Sequence, residues 1–178
     1  MWQPSLETSL VRLRPLLRED FDALFTAASD PSIWAQHPAS DRHRPEVFRA
    51  FFEDALACGG ALVFEDRASG AVIGSSRFVR HDPARREIEI GYTFLVRACW
   101  GGLYNGEIKR AMIAHALTCV DVVWFSIGEH NVRSRRAMEK IGGVLTERVE
   151  PSRPGNIFYR IDRATLARAP TRAAALRC

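Results

Sequence analysis

A short glycine-rich segment in the middle of the chain has the composition of an anion-binding turn. It reads Trp-Gly-Gly-Leu-Tyr-Asn-Gly-Glu from Trp100 to Glu107, between a strand-like run and a helical run. Glycine removes side chains that would block the close approach of a ligand to the backbone. The first amides of a helix have no intrahelical partner and carry partial positive charge. The segment is therefore predicted to be either a phosphate-binding loop or a plain strand-to-helix turn.

Composition and charge narrow the class of protein. A chain of 178 residues with 47% hydrophobic composition is predicted to form one globular domain. No apolar run reaches the roughly 18 residues of a membrane span, and no signal peptide is visible, so we expect a cytoplasmic protein. The net charge of +4 is mild and scattered, which permits an anionic ligand but does not favour nucleic acid. No Cys or His cluster has metal-ligand spacing, so no metal is expected.

Hydrophobic periodicity predicts the elements that must position this loop. In chain order we predict a strand over 9–14, a helix to about 28, a helix over 45–58, strands over 61–65, 71–79 and 87–96, a helix from 105 to about 120, a strand over 122–127, a helix over 129–141, and strands over 144–149 and 156–162. Residues 164–178 are predicted to be partly helical. The alternation of strands and helices near the end favours some parallel pairing in an otherwise antiparallel sheet.

The strand predicted over 87–96 has a clear period of two. One face is predicted to hold the apolar side chains of Ile88, Ile90, Tyr92, Phe94 and Val96. The opposite face holds Glu89 together with Glu87. Gly91 in mid-strand indicates a bulge or a close backbone approach, at which this alternation can shift.

Three segments, in this order, resemble the GNAT acyltransferase superfamily and in particular its Rim-type branch, which includes ribosomal-protein N-terminal acetyltransferases. Leu13–Leu16, with Glu19 and Asp20, is similar to the family's opening strand and helix. The stretch from Glu89 to Tyr92 and the loop from Trp100 to Asn105 are similar to its fourth strand and pyrophosphate loop. Asn131–Gly142 is similar to its second coenzyme-contacting helix.

The resemblance implies an α/β (α+β) fold in which a mixed, mostly antiparallel sheet is splayed between its fourth and fifth strands and flanked by helices. The domain would be single, 1–178, with its core over about 9–162 and a tail over 163–178. The resemblance also implies acetyl-CoA as a co-substrate, with its pantetheine arm in the gap between the splayed strands. The coenzyme-binding residues that it implies are Phe94, Leu95, Val96, Gly101, Gly102, Leu103, Tyr104, Asn105, Asn131 and Ser134.

The chain departs from the family pattern at three positions. The usual loop is Arg/Gln-x-x-Gly-x-Gly/Ala, but Ala98 stands at the Arg/Gln position and Leu103 at the last glycine. A side chain at Leu103 would narrow the approach to the phosphate. Many GNAT enzymes protonate the leaving thiolate with a tyrosine, which Met138 replaces here. The resemblance to the Rim-type branch assigns that proton to Ser134.

Amine acylation needs a neutral amine, a polarised carbonyl and a proton for the departing thiolate. Glu89 is the candidate base, directly or through water, with Glu87 as a weaker rival. The structural alternative for Glu89 is a surface carboxylate paired with Arg85 or Arg86. Ser134 is the candidate acid, with a packing role as its alternative.

Several other side chains allow both a structural and a functional interpretation. Asn131 is expected to cap its helix and also to contact the coenzyme, and Asn105 is expected to cap the central helix. Trp34, His37 and Trp100 would line an acceptor pocket or pack in the core. His115 is interpreted as a core histidine.

The predicted function is transfer of an acetyl group from acetyl-CoA to a primary amine, on a protein N-terminus or a small molecule, by direct attack in a ternary complex. The alternative is a sensor or scaffold that binds a CoA thioester without turnover, which the departures at Ala98, Leu103 and Met138 leave open. Neither a membrane nor nucleic acid is an expected partner, and a homodimer is left open.

Overall fold

An eight-stranded sheet runs through the molecule in the order β1-β2-β3-β4-β5-β6-β8-β7. The computed structural model describes residues 1–168, so most of the predicted C-terminal tail lies outside the described residues. The strands are β1 (Leu6–Glu7), β2 (Val11–Pro15), β3 (Ala61–Asp66), β4 (Val72–Asp82), β5 (Glu87–Leu95), β6 (Val122–Gly128), β7 (Val144–Leu145) and β8 (Asn156–Ile161). The helices are α1 (Phe21–Ala28), α2 (Pro45–Ala57), α3 (Tyr104–Ala116), α4 (Val132–Lys140) and α5 (Arg163–Arg168).

Helices cover both faces of the sheet. On one face, buried side chains of α1 and α2, such as Leu24 and Phe52, pack with Val63 of β3. On the other face, Met112 of α3 packs with Phe64, the next residue of the same strand. Successive strand residues point to opposite faces, so β3 contributes to both layers of core. None of the helices in residues 1–168 is long and apolar enough to cross a membrane.

The sheet is antiparallel except where β5 meets β6. These two strands pair in parallel over Glu87–Glu89 and Val122–Trp124 only. Beyond this short pairing both strands continue without each other, and a gap opens between them. The predicted fold class is confirmed: the sheet is mixed and mostly antiparallel, flanked by helices, and it splays between the strands predicted as fourth and fifth.

A bulge interrupts β5 at the place where Gly91 predicted one. The register with β4 shifts between Arg77, which faces Gly91, and Ser75, which faces Phe94. Tyr92 lies in the bulge with φ of +56°. A bulge adds one residue and exchanges the two faces of the strand.

Because the two faces of β5 exchange at the bulge, the predicted alternation of the strand needs correction. Ile88 and Ile90 belong to the core on the α3 side, whereas Phe94 belongs to the core on the α1 and α2 side. The prediction of one continuous apolar face was therefore wrong beyond Gly91. The bulge also directs the side chain of Thr93 toward α3, where it accepts a hydrogen bond from Lys109.

Three further details of the predicted elements need correction. The sequence did not indicate β1, because a strand of two residues shows no periodicity. The strand predicted over 144–149 ends at Leu145, and the residues after it form a loop in which Arg153 pairs with Glu150. Helix α3 ends at Ala116 and not near residue 120.

Candidate active site

The gap between β5 and β6 opens into a cavity of about 390 Å³. Its walls come from both strands, from the start of α4, from the loop that follows β5 and from the segment between α1 and α2. Seven of the predicted site residues line it: Glu89, Phe94, Leu95, Gly101, Asn105, Asn131 and Ser134. The other four, Val96, Gly102, Leu103 and Tyr104, are not part of its walls.

The loop before α3 presents a row of unpaired backbone donors beside the cavity. Within residues 1–168, none of the amides from Gly101 to Gly106 has a hydrogen-bond acceptor. The first helical bond runs from the Glu107 amide to the Leu103 carbonyl at 3.0 Å. Gly101 has φ of +71°, a conformation that favours glycine. The turn and the helix start therefore have the donors that an anion needs.

Three residues at the start of α3 have defined positions in the structure. Leu103 is the N-cap of α3, and it is 45% exposed and not part of the cavity walls. Asn105 lies in the first turn, and its predicted role as the cap was wrong because the helix begins one residue earlier. The hydroxyl of Tyr104 donates to Asp66 at 2.8 Å.

One amide at the end of β5 points into the gap. The Val96 amide donates to the Ile73 carbonyl of β4 at 2.9 Å and is therefore not free to contact a ligand. In an antiparallel pair the bonded positions alternate, so the polar groups of Leu95 point away from β4. The Leu95 carbonyl accepts from Trp100 Nε1 at 2.9 Å, which agrees with this direction. On that side β5 pairs with β6 only as far as Glu89, so no neighbouring strand within residues 1–168 is paired with Leu95 there.

The start of α4 fixes Ser134 against the same cavity. Asn131 caps the helix, as predicted: its side-chain oxygen accepts from the Ser134 amide at 3.1 Å. Asn131 itself is 8% exposed. The Ser134 hydroxyl makes no hydrogen bond in the part of the chain that the structure describes, so it remains available to a ligand. Met138 lies one turn further along and is buried in the core.

Glu89 lies in the cavity wall in an ion-pair network. Arg153 Nη1 donates to both carboxylate oxygens at 2.8 Å, and Arg80 donates to one of them at 3.2 Å. Burial opposes the charge of Arg153, but its hydrogen bonds to Glu150 and Glu89 raise its pKa. Glu89 is thus paired with arginines, as its structural alternative predicted, but it is buried and its partners are Arg153 and Arg80, whereas Arg86 pairs with Asp121 across 2.7 Å.

Lys109 is a functional candidate that the sequence did not reveal. It reaches from α3 into the floor of the gap, where Nζ donates to Thr93 Oγ1 at 2.6 Å and lies 5.0 Å from the centre of the Phe125 ring. Burial lowers the pKa of Lys109 from 10.5 to about 7. The sequence did contain a signal for its burial, because Lys109 lies on the same helical stripe as Met112 and Ala116, which are buried.

Basic side chains dominate the cavity wall. Trp34, His37 and Trp100 line it, and Trp34 is also buried in the core on the α1 and α2 side, so it fits both of its interpretations. Among residues 1–168, the charged wall residues are Arg42, Arg80, Lys109, Arg133, Arg153 and a single acid, Glu89. His115, in contrast, lies on α3 away from the cavity and contacts the Met1 carbonyl at 2.8 Å. It is only half-buried, so its interpretation as a core histidine holds only in part.

Comparison with known proteins gives a consistent result. The family model described as acetyltransferase (GNAT) domain matches residues 11–144. An acetyltransferase from Agrobacterium tumefaciens str. C58 is 27% identical, with 90% of this chain and 95% of that chain covered and a TM-score of 0.71. A GCN5-related N-acetyltransferase from Brucella melitensis is 20% identical, with 93% and 81% covered and a TM-score of 0.77.

A spermidine N-acetyltransferase from Vibrio cholerae, solved with CoA and spermine, shares the fold at lower identity. It is 14% identical, with 90% of this chain and 99% of that chain covered and a TM-score of 0.67. Identities of 14% and 20% show similarity of fold alone. No curated protein matches this chain.

Proposed function

The chain belongs to the GNAT acetyltransferase family, and from this premise we propose that it transfers an acetyl group from acetyl-CoA to a primary amine by direct attack in a ternary complex. The observation that carries the proposal is the row of unpaired amides from Gly101 to Gly106 at one end of the gap between β5 and β6. The two features together provide an anion site and a slot for an extended ligand.

The chain's own groups would hold the coenzyme in two places. The loop amides and the positive end of the α3 dipole would bind its pyrophosphate. The walls of the gap, including Phe94 and Asn131, would enclose its pantetheine arm. When bound, acetyl-CoA supplies an activated acyl group. The Leu95 amide, which points into the gap, would donate to the thioester carbonyl and stabilise negative charge that develops on its oxygen.

Two side chains would move the protons. Ser134 would donate to the departing thiolate, since its hydroxyl faces the cavity and has no other partner within residues 1–168. Glu89, whose two oxygens accept from Arg153 and keep further lone pairs, would take the proton of the amine directly or through a water molecule. The Asn131–Ser134 arrangement also leads us to propose that the chain lies in the Rim-type branch.

Substitution of Gly101 by valine is expected to weaken acetyl-CoA binding at least tenfold. A β-branched residue at positive φ costs about 1–2 kcal/mol in the native turn, and a turn that relaxes moves its donors. Isothermal titration with acetyl-CoA measures the effect. Gly59→Val is the matched control: its φ is +63°, its surroundings are equally open, and it lies at the end of α2.

The proposed function has a direct test. The wild-type protein should bind acetyl-CoA and release free thiol only when an amine acceptor is present. If Gly101→Val and Gly59→Val weakened acetyl-CoA binding equally, the loop would not be part of the coenzyme site. Binding without thiol release across an acceptor panel would contradict catalysis and identify a coenzyme-binding protein without turnover.

A further inference from the structure

The guanidinium of Arg42 lies at the end of the cavity that is formed by the β5 bulge. Its carbon atom is 4.5 Å from the ring centre of Phe51, 5.5 Å from that of Trp34 and 5.9 Å from that of Tyr92. Aromatic faces attract a cation but accept no strong hydrogen bond. The guanidinium is thus held in place by aromatic faces, and Arg42 is part of the cavity wall.

Within residues 1–168, no group accepts a hydrogen bond from the guanidinium of Arg42. Its one polar contact is with His37 Nε2 at 3.3 Å. The Ala39 amide donates to His37 Nδ1 at 2.9 Å, so the neutral ring carries its proton on Nε2 and cannot accept from Arg42. Burial, with the charge of Arg42, lowers the pKa of His37 to about 4, which keeps the ring neutral at pH 7. The nearby Asp54 accepts from Arg77 at 2.5 Å.

The other arginines of the cavity wall differ from Arg42 in this respect. Arg80 and Arg153 both donate to Glu89, and Arg133 donates to the Ile33 carbonyl at 2.7 Å. Burial and the charge of the neighbouring Arg77 lower the pKa of Arg42 to about 10, although Asp41 and Asp54 attract the cation from a distance. A desolvated cation of this kind is stabilised by an anionic ligand.

The coenzyme's pyrophosphate does not account for this cation. The loop amides lie beyond Leu95, at the C-terminal end of β5, whereas Arg42 packs against Tyr92 in the bulge and against Phe51 of α2. Arg42 therefore stands on the side of the gap left for the acceptor. That side is also unfavourable for polyamines, because Glu89 is the one acid of the wall and two arginines already occupy it.

We infer that Arg42 binds a carboxylate of the acceptor, so that the substrate is an amine that also carries a carboxylate group. A planar guanidinium pairs with a carboxylate through two parallel N–H···O bonds. The carboxylate has two sources, the α-carboxylate of a free amino acid or an acidic side chain next to a peptide N-terminus. The inference rests on the proposed function, since the cavity must first be an acetyl-transfer site.

The test compares acceptors that differ in one carboxylate. Leucine is compared with leucinamide, and a peptide amide with aspartate in second position is compared with its asparagine counterpart, by thiol release from acetyl-CoA. In at least one pair, kcat/KM should be at least tenfold higher for the acceptor that carries the carboxylate than for its uncharged counterpart. Arg42→Met should remove that preference mainly through KM, and Arg42→Lys should restore part of it. Arg49→Met is the control, because Arg49 stacks on Phe21 at 4.2 Å outside the cavity.

A binding measurement keeps the inference testable without turnover. N-Acetyl-leucine and the acetylated aspartyl peptide amide should each be titrated into the CoA-loaded protein beside their uncharged counterparts. At least one of the two should bind at least tenfold more tightly than its uncharged counterpart, and Arg42→Met should remove the difference. Equal affinities in both pairs, or efficient acetylation of spermidine, would overturn the inference while leaving acetyl transfer intact. Failure of the wild-type protein to bind acetyl-CoA would overturn the proposed function itself, and the inference with it.

Discussion

Replacement of Ser134 by alanine is expected to lower kcat for acetyl transfer about 100-fold, at the lower end of what a positioned proton donor contributes. The hydroxyl faces the cavity and has no competing partner within residues 1–168. The Asn131 cap bonds to the Ser134 amide and not to its hydroxyl, so the start of α4 should remain in place in the variant. The Kd for acetyl-CoA should therefore change by less than about threefold. Steady-state thiol release and calorimetric titration measure the two quantities.

A second serine of the same cavity provides the control. Ser126 also lies in the wall, but its hydroxyl already accepts from Asn156 Nδ2 at 2.8 Å. Ser126→Ala should lower kcat by less than about threefold, because the proposed donor to the thiolate is Ser134 at the start of α4, whereas Ser126 lies on β6. If Ser134→Ala retained more than half of the wild-type kcat, the proton would have to come from solvent or another group.

Replacement of Lys109 by methionine is expected to raise the free energy of unfolding by on the order of 3 kcal/mol at pH 7. Desolvation is the cause that lowers the pKa of Lys109 to about 7 in the folded chain, against 10.5 for the ordinary value. At about 1.4 kcal/mol per pKa unit, this shift destabilises the fold by about 4 kcal/mol at pH 7. Loss of the hydrogen bond to Thr93 offsets about 1 kcal/mol of the gain. Thr93 keeps its second partner, Ser76, at 2.7 Å.

The sign of the pH dependence follows from proton linkage. Between pH 7 and 10.5 the unfolded chain binds one more proton at this position than the folded chain, so wild-type stability rises with pH through that interval. The cost of Lys109 is complete below pH 7 and disappears above 10.5. The advantage of Lys109→Met should therefore shrink steadily from pH 7 to pH 10.

Denaturant unfolding at several pH values between 6 and 10 measures this dependence. The chain's other lysine, Lys140, lies exposed at the end of α4, and Lys140→Met should change stability by less than about 0.5 kcal/mol at each pH. A gain for Lys109→Met that is the same at pH 6 and pH 10 would show that packing, and not the buried charge, controls the stability.

The sequence by itself determined the features that depend on neighbouring residues. The strand and helix order follows from periods of two and 3.6, and most predicted elements lie within a few residues of the observed ones. Asn131 was identified as a cap because its partner, the Ser134 amide, is three residues away. The glycine loop and the bulge near Gly91 were likewise visible, since glycine is required locally where the backbone adopts unusual angles or must be approached closely.

Only the tertiary structure decided which charged groups meet in the cavity. Glu89 pairs with Arg153, which is 64 residues away and lies between the strands predicted over 144–149 and 156–162. Lys109 has an acceptor because the bulge directs Thr93 toward α3, and the carboxylate of Asp54 is bonded to Arg77 and not to Arg42. Sequence periodicity predicts which face of a helix or strand is buried. It does not predict which charged residue from a distant part of the chain contacts that face, because that contact depends on how whole helices and strands pack together.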